Sequence, residues 1–285
     1  CSFPVVIVAL GKVVEAKQRS FIMGLGTAAA SAGMFAGAPI ATTLIGTIGW
    51  GIAIFFVAAS FLIILPLLFF VSRASEKPSP SREQLNTIQA IKTAFSDRSY
   101  TLLFFGFFVC GFHVQFIQTH LPAYITDEGL APIIGAWSLA LIGLFNIGGS
   151  FFSGWSGQIY SKPKLLSGIY ASRAAVIALF IFTPLSGTSV LVFSAAMGIL
   201  WLSTVPLTTG LIAQTQGLKF LSTLAGLVFF SHQVGGFLGA WLGGRLYDIT
   251  GNYEAMWIAA ILFGLAATII HLPIKEQPGK LAQAE

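Results

Sequence analysis

Several polar side chains in this sequence sit where nearly all of their neighbours are apolar. His113, Gln115 and Gln118 fall in one such run, Arg173 in a second, Trp201 and Thr204 in a third, and His232 with Gln233 in a fourth. A primary amide both donates and accepts hydrogen bonds, so Gln115 and Gln118 suit recognition of a polar solute. They lie on one helical face, while His113 and His120, seven residues apart, nearly eclipse each other on another. An imidazole can exchange a proton near neutral pH, so His232 and His113 are the candidates for a proton relay. Arg173 offers a planar fork of donors that matches a carboxylate bidentately. Each of these groups has a plainer reading as well: polar atoms in an apolar setting find partners on adjacent helices. For Arg173 those partners would be backbone carbonyls or Asn146, for His232 and Gln233 an interhelical hydrogen bond, and for Thr204 and Thr208 the backbone freed by Pro206.

A second pattern is made of small residues. Gly235, Gly239 and Gly243 recur every fourth residue, with Gly236, Ala240 and Gly244 beside them. Such a strip lets another helix approach closely, and the same smoothness would let the two slide.

The elements that must hold these groups are set by composition. Of the 285 residues, 55% are hydrophobic and only 9% charged, and the mean hydropathy is +0.84. A soluble domain carries about 25% charged residues, so this chain cannot cover itself with a hydrated surface. Roughly 20 apolar residues span a bilayer as a helix. On that length the sequence predicts a stump over 1–14 and spans over 20–47, 51–72, 100–124, 131–155, 165–185, 188–212, 221–247 and 254–273. The alternation over about ten residues that marks barrel strands is absent. The fold class is therefore all-α, a polytopic helical bundle whose first partner is the lipid bilayer.

Alternating the loops places thirteen of the 15 Lys and Arg on one side, leaving Arg245 on the other and Arg173 inside a span. This asymmetry predicts a cytoplasmic C-terminus. It also explains the formal charge of +5 without invoking nucleic acid. The longest polar stretch is also cytoplasmic on this topology and divides the chain into 1–72, a loop over 73–99, and 100–285. Within that loop Leu85, Ile88, Ile91 and Phe95 fall near one face, as in a helix lying at the interface. Cys1 and Cys110 both sit in apolar surroundings and read as packing residues.

Six spans after a long cytoplasmic loop resemble the second half of a twelve-helix carrier of the major facilitator superfamily. Arg19 to Gly26, Gly33, Gly37 to Pro39 and Gly49-Trp50 look like that family's fourth-to-fifth helix junction, fifth helix and start of the sixth. Within it the chain is similar to bacterial carriers of the monocarboxylate-porter type, through Gly111-Phe-His-Val-Gln-Phe-Ile-Gln-Thr-His-Leu-Pro-Ala-Tyr124, Tyr170-Ala-Ser-Arg173, and Phe229 to Gly244. The resemblance implies that about three and a half helices are missing from the N-terminal side and belong among this chain's partners. It also implies a secondary or facilitative carrier in a bacterial inner membrane, moving a small organic solute such as a monocarboxylate by alternating access, with or without a coupled proton. Gln115 and Gln118 would border the central cavity. One departure stands out: the family's acid and Arg in the loop after the eighth helix are replaced by Gln158 and Ile159.

The sequence contains no phosphate-binding glycine loop, metal cluster or nucleophile elbow, so neither a cofactor nor enzymatic chemistry is expected. None of the 10 Asp and Glu falls in the middle of a span. A sensor or assembly subunit built on a carrier-like bundle is the alternative.

Overall fold

Inside a bilayer no water is available to pair backbone N–H and C=O groups, so apolar runs of this length close on themselves as helices. The structure, a computed structural model, describes residues 2–63 and 86–283, and among these there are helices and connecting turns but no strand. Helices α1 (Ser2–Val13), α2 (Arg19–Ile48) and α3 (Trp50–Ser60) come first, with a short 3-10 turn at Phe61–Ile63. After residues 64–85 follow α4 (Thr87–Ser96), α5 (Arg98–Asp127), α6 (Pro132–Ile159), α7 (Lys162–Phe182) and α8 (Gly187–Leu200). The chain ends in α9 (Thr204–Gln216), α10 (Leu221–Thr250), α11 (Glu254–His271) and the single turn α12 (Lys280–Gln283). With α8 and α9 taken together, seven stretches among the described residues are long and apolar enough to cross a membrane. The expected span over 51–72 is described only to residue 63, and its remainder lies outside the described residues, as does the polar segment up to 85.

One expected span is interrupted. The run over 188–212 reads as continuous in sequence, yet it breaks at Trp201–Ser203 into α8 and α9. Trp201 N–H turns back to the Gly198 carbonyl at 3.1 Å and Val205 N–H to the Leu202 carbonyl at 3.0 Å, so the chain tightens through the gap. Pro206 lacks an N–H for the next rung.

Close approach decides the packing. A Cβ built on Gly111 would collide with the His232 carbonyl, and one on Gly235 with the Phe108 carbonyl; at Gly239 it would lie 2.5 Å from the Phe112 carbonyl. The α5–α10 pair therefore meets backbone to backbone along a glycine seam. Hydrogen bonds lace it: Tyr100 hydroxyl to Leu224 carbonyl at 2.9 Å, Ser231 to Phe104 carbonyl at 2.7 Å, and His120 Nε2 to Ala240 carbonyl at 2.8 Å. Gly243 lies under the His120 ring. A second glycine contact joins α2 to α6, where a Cβ on Gly24 would lie 2.8 Å from Gly154 Cα.

The connection at Lys162 and the chain after α11 meet at one end of the bundle. Ser20 abuts Gly157 and Gly210, and Lys162 Nζ lies 3.7 Å from Glu276 and 2.8 Å from Gln214. Gln216 bonds Asp97 at 2.7 Å, and the chain after α11 returns beneath α9 through a Gly279 N–H to Thr215 carbonyl bond of 2.7 Å. At this end α4 is capped by Asn86. Its buried face is Ala90 and Ala94, while Ile88 points outward and Phe95 folds edge-on against Tyr100 and Phe104.

Candidate functional site

Two groups of polar side chains emerge from this packing, one exposed and one buried. The exposed group lies on the adjoining helices α5 and α10. Gln115 and Gln118 are both exposed, and Gln115 Nε2 donates to Thr119 Oγ1 at 3.1 Å. Gly236 backs directly onto Gln115, since a Cβ there would sit 3.4 Å from the Gln115 Cβ. One turn away on α10, Gln233 is exposed and His232 half-buried, with Oε1 and Nδ1 3.2 Å apart. The His232 ring rests on Phe107 at 5.0 Å between centroids. Glycine at 111 and 236 thus does two things: it brings the helices together and sets Gln115 one turn from the His232–Gln233 pair.

The buried group surrounds the break between α8 and α9. Arg173 is 0% exposed, and its guanidinium reaches across from α7 to the C-terminal end of α8. Nε and Nη2 donate to the Leu200 carbonyl at 3.2 and 2.7 Å, and Nη2 also donates to the Trp201 carbonyl. Both carbonyls are orphaned because the helix ends there, and a cation is the favourable partner for that end of a helix dipole. The guanidinium carbon also lies 5.3 Å from the Tyr170 ring centroid. Thr204 Oγ1 and Cys110 Sγ are 3.2 Å apart. Arg173 Nη1, the Tyr170 hydroxyl and Thr208 Oγ1 are buried with no hydrogen-bond partner among the described residues.

Not every residue singled out from sequence joins these groups. His113 is fully buried on the other side of α5, where its Nε2 bonds the Ala260 carbonyl of α11 at 2.7 Å. Trp201 is 2% exposed and contributes its carbonyl to the Arg173 contact. Gly235, Gly239 and Gly243 face α5 rather than the exposed polar patch. A groove of about 410 Å³ between α6 and α8 is walled by Leu144, Phe145, Gly148, Gly149, Phe152 and Ile199 and holds none of the polar candidates.

Three participants escape a reading of the sequence. Cys110 reads as packing but meets Thr204 Oγ1 of α9 from α5. Ser31 accepts a 2.6 Å hydrogen bond from Asn146 across the α2–α6 contact, and Ser153 donates to the Ser203 carbonyl in the break. The available signal was small polar residues recurring on apolar helices, which are too common to select individually.

Comparison with known proteins follows the same architecture. The family profile of the Major Facilitator Superfamily matches residues 1–240. An uncharacterised MFS-type transporter of Bacillus subtilis, YcxA, is 28% identical over 230 residues, which cover 75% of this chain and 54% of that protein. Monocarboxylate transporter 13 of Rattus norvegicus is 28% identical over 271 residues, covering 90% of this chain and 60% of the relative. The chain thus spans little over half the length of the curated relatives it matches. In fold it is similar to the crystal structure of the E. coli fucose:proton symporter FucP, with a TM-score of 0.74 and 13% identity over 94% of this chain and 72% of that one. With a family match over most of its length and the fold to go with it, the chain is a member of the Major Facilitator Superfamily.

Proposed function

We propose that this chain carries a small organic solute across the membrane by alternating access, and that the solute is a monocarboxylate. The observation that carries this reading is the exposed polar patch of Gln115, Gln118 and Gln233, with half-buried His232 beside Gln233, on two helices that are otherwise apolar. Exposed amides in an apolar setting are expensive unless they face water or a polar ligand. The relatives named as monocarboxylate transporters support the solute class. Gln115, Gln118, His232 and Gln233 line the path in this reading. Arg173, Trp201 and Thr204 shape its wall from behind, and His113 and the glycines serve packing. Because no Asp or Glu lies mid-span, a coupled proton would use His232 on this chain. The basic end faces the cytoplasm of a bacterial inner membrane, by the charge asymmetry of the loops.

The test is uptake of labelled lactate and pyruvate into proteoliposomes holding the protein as its gene encodes it. Gln115→Ala and Gln233→Ala are expected to raise KM several-fold while leaving the maximal rate within about twofold, as loss of uniform binding does. Absence of uptake of any small carboxylate, together with a co-purifying membrane partner, would replace this reading with a non-transporting sensor or assembly subunit.

A further inference from the structure

The break between α8 and α9 is held from two sides, and only one of them reaches α2. Because the Trp201 N–H has taken the Gly198 carbonyl, the next amide, on Leu202, has no rung left in α8. Asn146 of α6 fills the gap: its Oδ1 accepts from Leu202 N–H at 2.9 Å and from Ser150 Oγ at 3.1 Å. The same side chain turns its amide outward and donates to Ser31 Oγ of α2 at 2.6 Å, while that hydroxyl donates to the Thr27 carbonyl at 2.8 Å. Asn146 is 0% and Ser31 1% exposed, so neither group has water as a substitute. Both acceptor positions of the amide oxygen and one of its two protons are committed.

The position of this link along the α2–α6 contact matters. Towards the basic end the helices touch at Gly24 and Gly154 and at Ser20 and Gly157. Just beyond Ser31, a Cβ built on Gly143 would lie 3.2 Å from the Met34 side chain and 3.3 Å from the Phe35 backbone. Farther along α2, Ile40 and Ile45 are 55% and 50% exposed. The Ser31–Asn146 link thus lies inside the stretch of α2 that the glycines of α6 hold close, from Ser20 to Phe35.

We infer that Asn146 is a positioning residue that ties closure of α2 on α6 to the broken geometry of α8–α9. When the contact closes, Ser31 orients the Asn146 amide, and the amide oxygen then holds Leu202 N–H and with it the placement of Trp201 and Thr204. By reciprocity, anything that straightens or shifts the break loosens the closure. This rests on the reading of the chain as a carrier whose parts move.

The test measures the closure directly, without solute. Spin labels go on Lys17→Cys and Tyr160→Cys, both exposed and flanking the basic end of α2 and α6, in a Cys1→Ser background that retains the buried Cys110. The distance distribution is recorded by pulsed electron resonance on the protein as its gene encodes it, in lipid nanodiscs. Ser31→Ala is expected to raise the ratio of separated to closed molecules about fivefold, the equivalent of one buried hydrogen bond. Asn146→Leu should raise it at least as much, and Ser31→Thr, which restores the hydroxyl, should return it to the parent value. An unchanged distribution in Ser31→Ala overturns the inference, as does a shift that Ser31→Thr fails to reverse. If Asn146→Leu does not fold, the Ser31 pair alone decides. A protein that shows the shift but moves no solute leaves the coupling standing and removes the transport reading. One that moves solute without the shift does the reverse.

Discussion

Arg173 is a cation placed where a membrane protein can least tolerate one, and its neighbours explain why it is kept. Its bonds run to the Leu200 and Trp201 carbonyls, which no helical N–H can reach once α8 has ended. A solute carboxylate would have to compete with those carbonyls, leaving Nη1 as the one uncommitted nitrogen. Arg173→Met, which keeps the bulk but not the donors, should destabilise the protein by about 2 kcal/mol because two buried carbonyls lose their partner. Arg173→Lys should recover part of that loss. Thermal unfolding followed by circular dichroism in detergent checks both, and equal stability of all three forms would show that the carbonyls find other donors. The two imidazoles on the polar candidate list divide in the same way. His113 is bonded to the Ala260 carbonyl deep between α5 and α11, whereas His232 is half-buried beside exposed Gln233. If a proton is coupled, His232→Gln should flatten the dependence of uptake on an imposed pH gradient. His113→Gln should leave that dependence intact.

Helices meet here through glycine, so the cost of a methyl group depends on what faces it. Gly111→Ala and Gly235→Ala place Cβ against the His232 and Phe108 carbonyls, which are backbone and cannot swing aside. Each should lower stability by about 2 kcal/mol or more, in the range of overpacked cores. Gly226→Ala, on the same helix α10 but with nothing within 4 Å, should instead be neutral or stabilise by up to about 1 kcal/mol through helix propensity. Unfolding midpoints of the three variants test this, and a uniform response would mean that the seam is looser than described. The helices that carry these glycines were legible in sequence because apolar length alone defines a span, and the glycine spacing marked the strip. The α8–α9 break was not. Its residues Trp201 and Leu202 are as apolar as their neighbours, and Pro206 signals a disturbance six residues beyond Leu200, where the helix ends. The amphipathic reading of the segment before α5 also needed its context. Sequence grouped Ile88 with Phe95, while the buried face is Ala90 and Ala94, small enough to sit flat on neighbouring helices. For the polar candidates, sequence located the residues and missed their partners, since backbone carbonyls leave no trace in composition.

The assembled bundle has two ends, and the first is charged and clasped. Lys162, Glu276, Gln214, Asp97 and Gln216 link α5, α7, α9 and the returning chain at the first. If that end is cytoplasmic, cysteines at exposed Lys164 and Lys275 should react with an impermeant maleimide only after the cells are permeabilised. Cysteines at exposed Glu128 and Ser186 should react in intact cells. Labelling with the opposite pattern would invert the topology. The bond between Arg173 and the break carries one more implication, which concerns the electrical field across the bilayer. A full positive charge pinned to a structural joint, with no mid-span carboxylate on this chain to cancel it, moves whenever the joint moves. A shift across a tenth of the field corresponds to about 0.2 kcal/mol per 100 mV. Even an electroneutral solute would then be handled by a cycle whose balance between its two states responds to membrane potential.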